Sequence, residues 1–227
     1  MKRSRINHIM GEADEMIRRY GFVLPPFAYW SPEAFRARTD AARIVGARMG
    51  WDITDYGQGR FDDLGLFLFT LRNGSLVDLQ RGGGMCYAEK LLISRQDQLS
   101  PMHTHVIKAE DIINRGGATL VVELYGSDDQ GAFARDRGGR VRCDGIDRAY
   151  RPGEKLQLAP GESVTLMPGD WHAFWGEGGD VLIGEVSTVN DDVTDNIFVE
   201  PIGRFAEVEE DEPPVHLLVS DYDRWLG

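Results

Sequence analysis

From residue 51 onward the chain is written in short apolar runs, each soon cut off by glycine, proline or asparagine. This limits the fold more than any other feature. A helical domain needs apolar residues at three- and four-residue steps over ten or more positions, and the stretch 51–189 offers few. Strands are expected at 64–72, 75–79, 86–95, 99–106, 118–125, 141–143, 155–158, 163–166, 172–175 and 180–189. Asn73-Gly74 reads as a hairpin turn. Arg81-Gly82-Gly83-Gly84 reads as a flexible turn, because a phosphate loop would end in Gly-Lys-Ser/Thr and open a helix. The polar, Gly-rich stretch 126–140 reads as a loop. Many short strands at this spacing build a sandwich or a closed barrel, so the fold class is mainly β.

The first fifty residues have another texture. Ile6, Ile9, Met10, Ala13, Met16, Ile17 and Tyr20 recur at helical steps, with Ser4 as a start and Gly21 as a stop. The stretch 22–30 reads as extended. Ser31-Pro32-Glu33 has the order of a helix start: cap, proline in the first turn, acid at the positive dipole end. A helical arm (1–50) packed on a barrel (51–227) is the expected organisation. The acidic, Pro-containing stretch 207–214 reads as a solvated linker, and 215–219 as an edge strand.

Within the β region, His103-Thr104-His105 is followed by Glu110 and Gly117. Alternate residues of a strand share a face, so His103 and His105 point together, and Glu110 returns to them if the chain turns between. Two imidazoles and a carboxylate form most of a divalent-metal shell. The chain has five His, and His172, after the turn Pro168-Gly169-Asp170, is the candidate fourth ligand. Three imidazoles and a carboxylate suit Mn, Fe, Zn, Ni or Co, and on a six-coordinate ion they leave two positions for a chelating substrate.

Charge narrows the substrate. A net charge of -12 repels nucleic acid and anionic membranes, leaving neutral small molecules. Two Cys give no disulfide framework. No signal peptide or membrane span is read, so a cytoplasmic location is the default expectation. A homodimer is favoured on base rates.

Lys90, Lys108 and Glu185 sit within or beside predicted strands, where each faces either solvent or the lumen. Asp191 and Asp192 follow at a strand end and also suit a turn. If the polar set faces inward, it fits metal-assisted aldose–ketose isomerisation through an enediol: Glu110 or Glu185 as base, a lysine such as Lys108 for the developing oxyanion, Lys90 and Asp191 for the distal hydroxyls. Three other readings stay open. A dioxygenase would use Trp171, Phe174 and Trp175 to line an apolar pocket. A sugar-binding module would bind without turnover. A phosphosugar isomerase would need a distal basic cluster, for which only Lys90 and Arg204 are on offer.

The two His segments resemble the paired motifs of the cupin superfamily. The first is matched in spacing, with Asp97 where a glycine is expected before it. The second, Gly161 and Pro168-Gly169-Asp170-Trp171-His172, is one residue tighter than usual and has Trp175 where Asn is often found. Arg5-Ile6-Asn7-His8-Ile9-Met10, Phe27-Ala28-Tyr29-Trp30, the His pair and the run from Gly184 to Asp192 together resemble the D-lyxose isomerases of that superfamily. The resemblance implies a jelly-roll-like cupin β-barrel with an N-terminal helical extension. It implies a Mn-dependent enzyme that interconverts D-lyxose and D-xylulose, with D-mannose and D-fructose as further substrates. It carries the metal ligands to His103, His105, Glu110 and His172, and the sugar contacts to Lys90, Lys108, Glu185 and Asp191.

Overall fold

The computed structural model describes residues 1–191 and 193–226; Asp192 and Gly227 lie outside the described residues. Helix α1 (Arg3–Arg19) opens the chain, and a 3-10 turn (Pro26–Tyr29) and short helices α2 (Pro32–Arg36) and α3 (Ala42–Gly46) follow. Then come β1 (Gly50–Thr54), β2 (Leu66–Asn73), helix α4 (Leu76–Arg81), β3 (Tyr87–Ser94), β4 (Ser100–His105), β5 (Glu110–Ser127), β6 (Phe133–Ala134), β7 (Gly139–Cys143) and β8 (Ile146–Tyr150). β9 (Glu154–Leu158), β10 (Ser163–Leu166), β11 (Trp171–Thr188), β12 (Asn196–Phe198) and helix α5 (Tyr222–Trp225) complete it. No described helix is long and apolar enough to cross a membrane.

Two strands organise the rest. β5 and β11 have 18 residues each and pair antiparallel along most of their length. Both bend midway, so each serves two sheets. One sheet runs β1-β2-β3-β11-β5-β10-β7-β8; in the other, β12, β4, β11, β5 and β9 lie side by side. The bend requires glycine. Gly117 has φ +104°, and a Cβ there would meet the Asp180 carbonyl oxygen at 2.2 Å. The result is the expected jelly-roll-like barrel, but as a folded-over sheet: β1 and β8, the ends of the ladder, are not joined.

Helix α1 decides which way the central strands face. Ile6, Ile9, Met10, Ala13 and Ile17 form one buried stripe and pack on Phe67, Phe69, Leu91, Ile93 and Leu182 from the outer face of the first sheet. Burying each such Ile contributes about 2 kcal/mol. Strand alternation then turns Leu66, Leu68, Leu92 and Ile183 into the space between the sheets. Lys90 and Glu185, two residues along from Leu92 and Ile183, go with them and sit opposite each other in the β3–β11 register.

Several expectations are corrected. Residues 75–79 are not a strand after a hairpin: α4 occupies Leu76–Arg81 and ends on Gly82 with φ +67°. Its length of six residues leaves no periodicity to read. Residues 172–175 and 180–189 belong to one strand, and β5 begins eight residues before 118, because the glycines that look like breaks are the bends. The stretch 126–140 holds β6 and the start of β7. Within 22–30, Pro26–Tyr29 is 3-10 helix, and the start of α1 is Lys2, not Ser4. The stretch 207–214 is tied to α1. Glu209 exchanges backbone hydrogen bonds with Met1 and Arg3, and the buried Arg3 guanidinium reaches Glu210 and Asp221, both at 2.8 Å.

Candidate metal centre and active site

β4 ends on the two histidines. Its partner β11 places His172 directly across from His103, and the Thr104 hydroxyl donates to the Asp170 carbonyl at 3.0 Å. Glu110 opens β5 after a four-residue turn. One ring nitrogen from each of His103, His105 and His172 lies within 4.8 Å of the others.

The tautomers follow from the backbone. Nδ1 of His103 meets the Pro101 carbonyl at 2.8 Å, that of His105 the Asp195 carbonyl at 3.2 Å, that of His172 the Asp170 carbonyl at 3.1 Å. A carbonyl only accepts, so each Nδ1 carries the proton and each neutral ring has a bare lone pair on Nε2. Glu110 Oε1 lies 3.1 Å from His105 Nε2 and 3.2 Å from His172 Nε2. Acceptors thus face acceptors, and His172 Nε2 is buried with no hydrogen-bond donor among the described residues. Such a cluster has the chemistry of a cation site. Adjacent ligands on bonds of about 2.1 Å at right angles would stand ~3.0 Å apart, close to these separations. The residues present fit a divalent ion.

The charge states agree. Burial, followed by the neighbouring His172 and His105, holds His103 well below its ordinary 6.5. Burial, then Lys108, lowers His105. Burial alone would raise Glu110, but Lys108 and His105 overcome it and hold the carboxyl well below 4.5. These groups bind fewer protons folded than unfolded, so they stabilise the fold above their unfolded values and lose that contribution as pH falls. The metal-free protein is therefore expected to lose melting temperature from below about pH 6.5, with a further loss below the 4.5 of an unfolded Glu. Thermal melts of chelator-treated protein across that range check this. A flat profile would mean that the imidazoles protonate freely in the fold.

Beside the imidazoles runs a ladder of alternating charge. Lys108 Nζ is 2.7 Å from Glu110 Oε2 and 3.0 Å from Glu185 Oε1. Lys90 Nζ is 3.4 Å from the same Glu185 oxygen and donates to Asn190 Oδ1 at 2.7 Å. The four charged side chains are only 2–4% exposed. Burial of that depth is tolerated because each charge is paired. Lys90, Lys108, Glu110, Glu185, His103 and His172 all line one cavity between the sheets.

Asp191 is not among the residues lining that cavity. Its carboxylate accepts from the backbone of Val193 and Thr194 and from the Thr194 hydroxyl. Its neighbour Asn190 makes the contact to Lys90, and Asn73 holds Asn190 through two hydrogen bonds of 2.9 and 3.0 Å. Arg204 lines the cavity and pairs with Asp52 of β1 at 2.8 Å. Thr54, Tyr56, Ser100 and Asn196 also line it and were not singled out from the sequence. The alternation of β1, Asp52 then Thr54 on one face, was the available signal. Of the three aromatics weighed for an oxygen-shielding pocket, Phe174 alone is in the lining; Trp171 donates to Ser127, and Trp175 lies under Lys155. Lys90 and Arg204 share the cavity, but each faces a carboxylate, which weakens it as a phosphate site.

A sequence model of the D-lyxose isomerase family matches residues 1–222. The chain is 44% identical to the D-lyxose/D-mannose isomerase of Serratia proteamaculans, covering 100% of both chains. It is equally identical, at 44%, to the D-lyxose/D-mannose isomerase of Escherichia coli O157:H7, covering 98% of each. Among solved structures it resembles the L-ribose isomerase of Cellulomonas parahominis, with TM-score 0.63 at 15% identity over 92% of this chain and 98% of that one. The L-ribose isomerase of Acinetobacter sp. DL28 is similar, with TM-score 0.63 at 14% identity over 92% and 98%. These two likenesses show the fold. The family match and the full-length relatives show that the chain belongs to the D-lyxose isomerase family.

Proposed function

We propose, with that membership as the premise, that this aldose–ketose isomerase interconverts D-lyxose with D-xylulose and D-mannose with D-fructose, using a divalent metal held by His103, His105, Glu110 and His172. The observation that carries the reading is the acceptor-only convergence of imidazole nitrogens and a Glu110 oxygen beside the buried Lys108–Glu185–Lys90 ladder. When bound, the ion supplies Lewis-acid polarisation of the sugar carbonyl. Mn(II) as that ion, a cytoplasmic location and a homodimer belong to the same reading and rest on the family resemblance and base rates.

The protein supplies the proton chemistry. Isomerisation breaks the C2–H bond, forms a C1–H bond and moves a proton from O2 to O1, so no redox partner is needed. Glu185, whose Oε1 lies 3.0 Å from Lys108 Nζ and 3.4 Å from Lys90 Nζ, is the carboxylate placed to act as the base. It takes the C2 proton and returns it to C1 of the enediol. Lys108 donates toward the oxygen on which negative charge grows. Lys90, steadied by Asn190, orients a hydroxyl further along the sugar. Glu110 serves as a ligand and holds Lys108 in place.

The test is anaerobic incubation of the Mn(II)-loaded protein with D-lyxose in D₂O, followed by NMR. The expected product is D-xylulose carrying solvent deuterium at C1. Unlabelled D-xylulose would keep the isomerase and remove Glu185 as an exchanging base. No product from either D-lyxose or D-mannose would overturn the reading.

A further inference from the structure

His105, Lys108 and Glu110 all depend on one short turn, residues 106–109, between β4 and β5. A surface turn moves unless its backbone is tied down. Val106 and Ile107 are 64% and 54% exposed, while Lys108 beside them is 4% exposed. The tie is Asp195. Its Oδ1 accepts from the amides of Val106 at 2.9 Å and Ile107 at 2.8 Å, and its Oδ2 from the amide of Lys108 at 2.8 Å. Three successive amides around one anion make a nest, and here the anion comes from the chain itself, 87 residues beyond Lys108. The Asp195 carbonyl accepts from His105 Nδ1, so one residue reaches the turn with its side chain and a ligand with its backbone.

The neighbours of Asp195 are built to present it. The Asp191 carbonyl accepts from its amide at 3.1 Å, and the Asp191 carboxylate shapes the turn leading to it. Immediately after it, β12 pairs with β4, Asn196 opposite His105 and Phe198 opposite His103. Asp195 itself is only 5% exposed.

We propose that Asp195 is a positioning residue of the isomerase site. Its carboxylate clamps the turn at 106–108 and so fixes the Lys108 ammonium between Glu110 and Glu185. The kinetic consequence rests on the isomerase reading; the clamp does not.

Two variants test it, Asp195→Asn and Asp195→Ala. The first keeps the side-chain shape but turns one acceptor into a donor facing an N–H. Hydrogen exchange of the peptide covering 106–108 is measured on metal-free protein, Mn(II) affinity by calorimetry, and kcat and KM with D-lyxose per bound Mn(II). In Asp195→Asn, exchange at 106–108 is expected to accelerate ~10–100-fold and kcat to fall ~10–100-fold, with KM within about threefold. Mn(II) affinity is expected to fall less than about tenfold, because the contact to His105 is made by the main chain. Asp195→Ala should show larger effects in the same order. Unchanged exchange, or kcat per bound Mn(II) within about twofold of the parent, would overturn the proposal. Should the parent isomerise neither sugar, the function reading fails, and the exchange measurement still decides whether the clamp exists.

Discussion

Replacing His105 with alanine is expected to remove stoichiometric Mn(II) and with it the activity. The ring contributes one of the nitrogens that gather within 4.8 Å, and its Nε2 stands 3.1 Å from Glu110 Oε1. Mn(II) stands at the weak end of the divalent series, so a site that loses one of four ligands is expected to release it on gel filtration. Water can fill the gap left by the ring, but it brings neither the fixed lone pair nor the orientation that the Asp195 carbonyl gives His105. The Lewis-acid contribution of several kcal/mol goes as well, so kcat/KM is expected to drop ~10³-fold or more. Metal analysis after gel filtration, with rates at saturating Mn(II), checks both parts. One tightly held Mn(II) per chain in this variant would take His105 out of the ligand set.

Glu185→Gln is expected to do the opposite to the metal and nearly the same to turnover. Glu185 makes no contact with the imidazoles; its Oε1 faces Lys108 at 3.0 Å and Lys90 at 3.4 Å. The amide keeps the shape and one acceptor oxygen but cannot take a proton. A positioned general base contributes ~10²–10⁴-fold, so kcat should fall within that span while Mn(II) stoichiometry stays at the parent value. Stability should also fall, by up to about 3 kcal/mol, because two buried lysines lose the anion between them. Assays well below the melting transition separate the two effects. Turnover near the parent rate would return the proton transfer to another group, Glu110 first.

Both predictions draw on residues that could be named from the sequence, but on different grounds. Three of the candidate ligands were legible because their signal is local: alternation along one strand brings His103 and His105 together, and a turn brings Glu110 back; His172 was legible through the turn Pro168-Gly169-Asp170 before it. Helix α1 was legible for the same reason, since its period of apolar residues is written in one short stretch.

Lys90 and Glu185 were visible as charges in apolar strands, but not their facing. Both faces of those strands are buried, so the alternation that normally marks the inner side is absent. Only the packing of α1 on Leu91 and Leu182 turns Lys90 and Glu185, at odd spacing from them along β3 and β11, inward. Just past the end of β11 the side chain against Lys90 is that of Asn190, whose Oδ1 accepts at 2.7 Å.

The sequence by itself determined a β-rich jelly roll with a helical arm, a set of candidate metal ligands and a family, because these rest on local period, local spacing and motif. The tertiary structure decided which charges share a cavity, that Arg204 faces Asp52, that the acidic stretch at 207–214 is bound to α1, and that Asp195 holds the turn carrying Lys108. Each of these joins segments far apart in the chain, and no local pattern records a contact whose partner is set by how β5, β11 and α1 fold together.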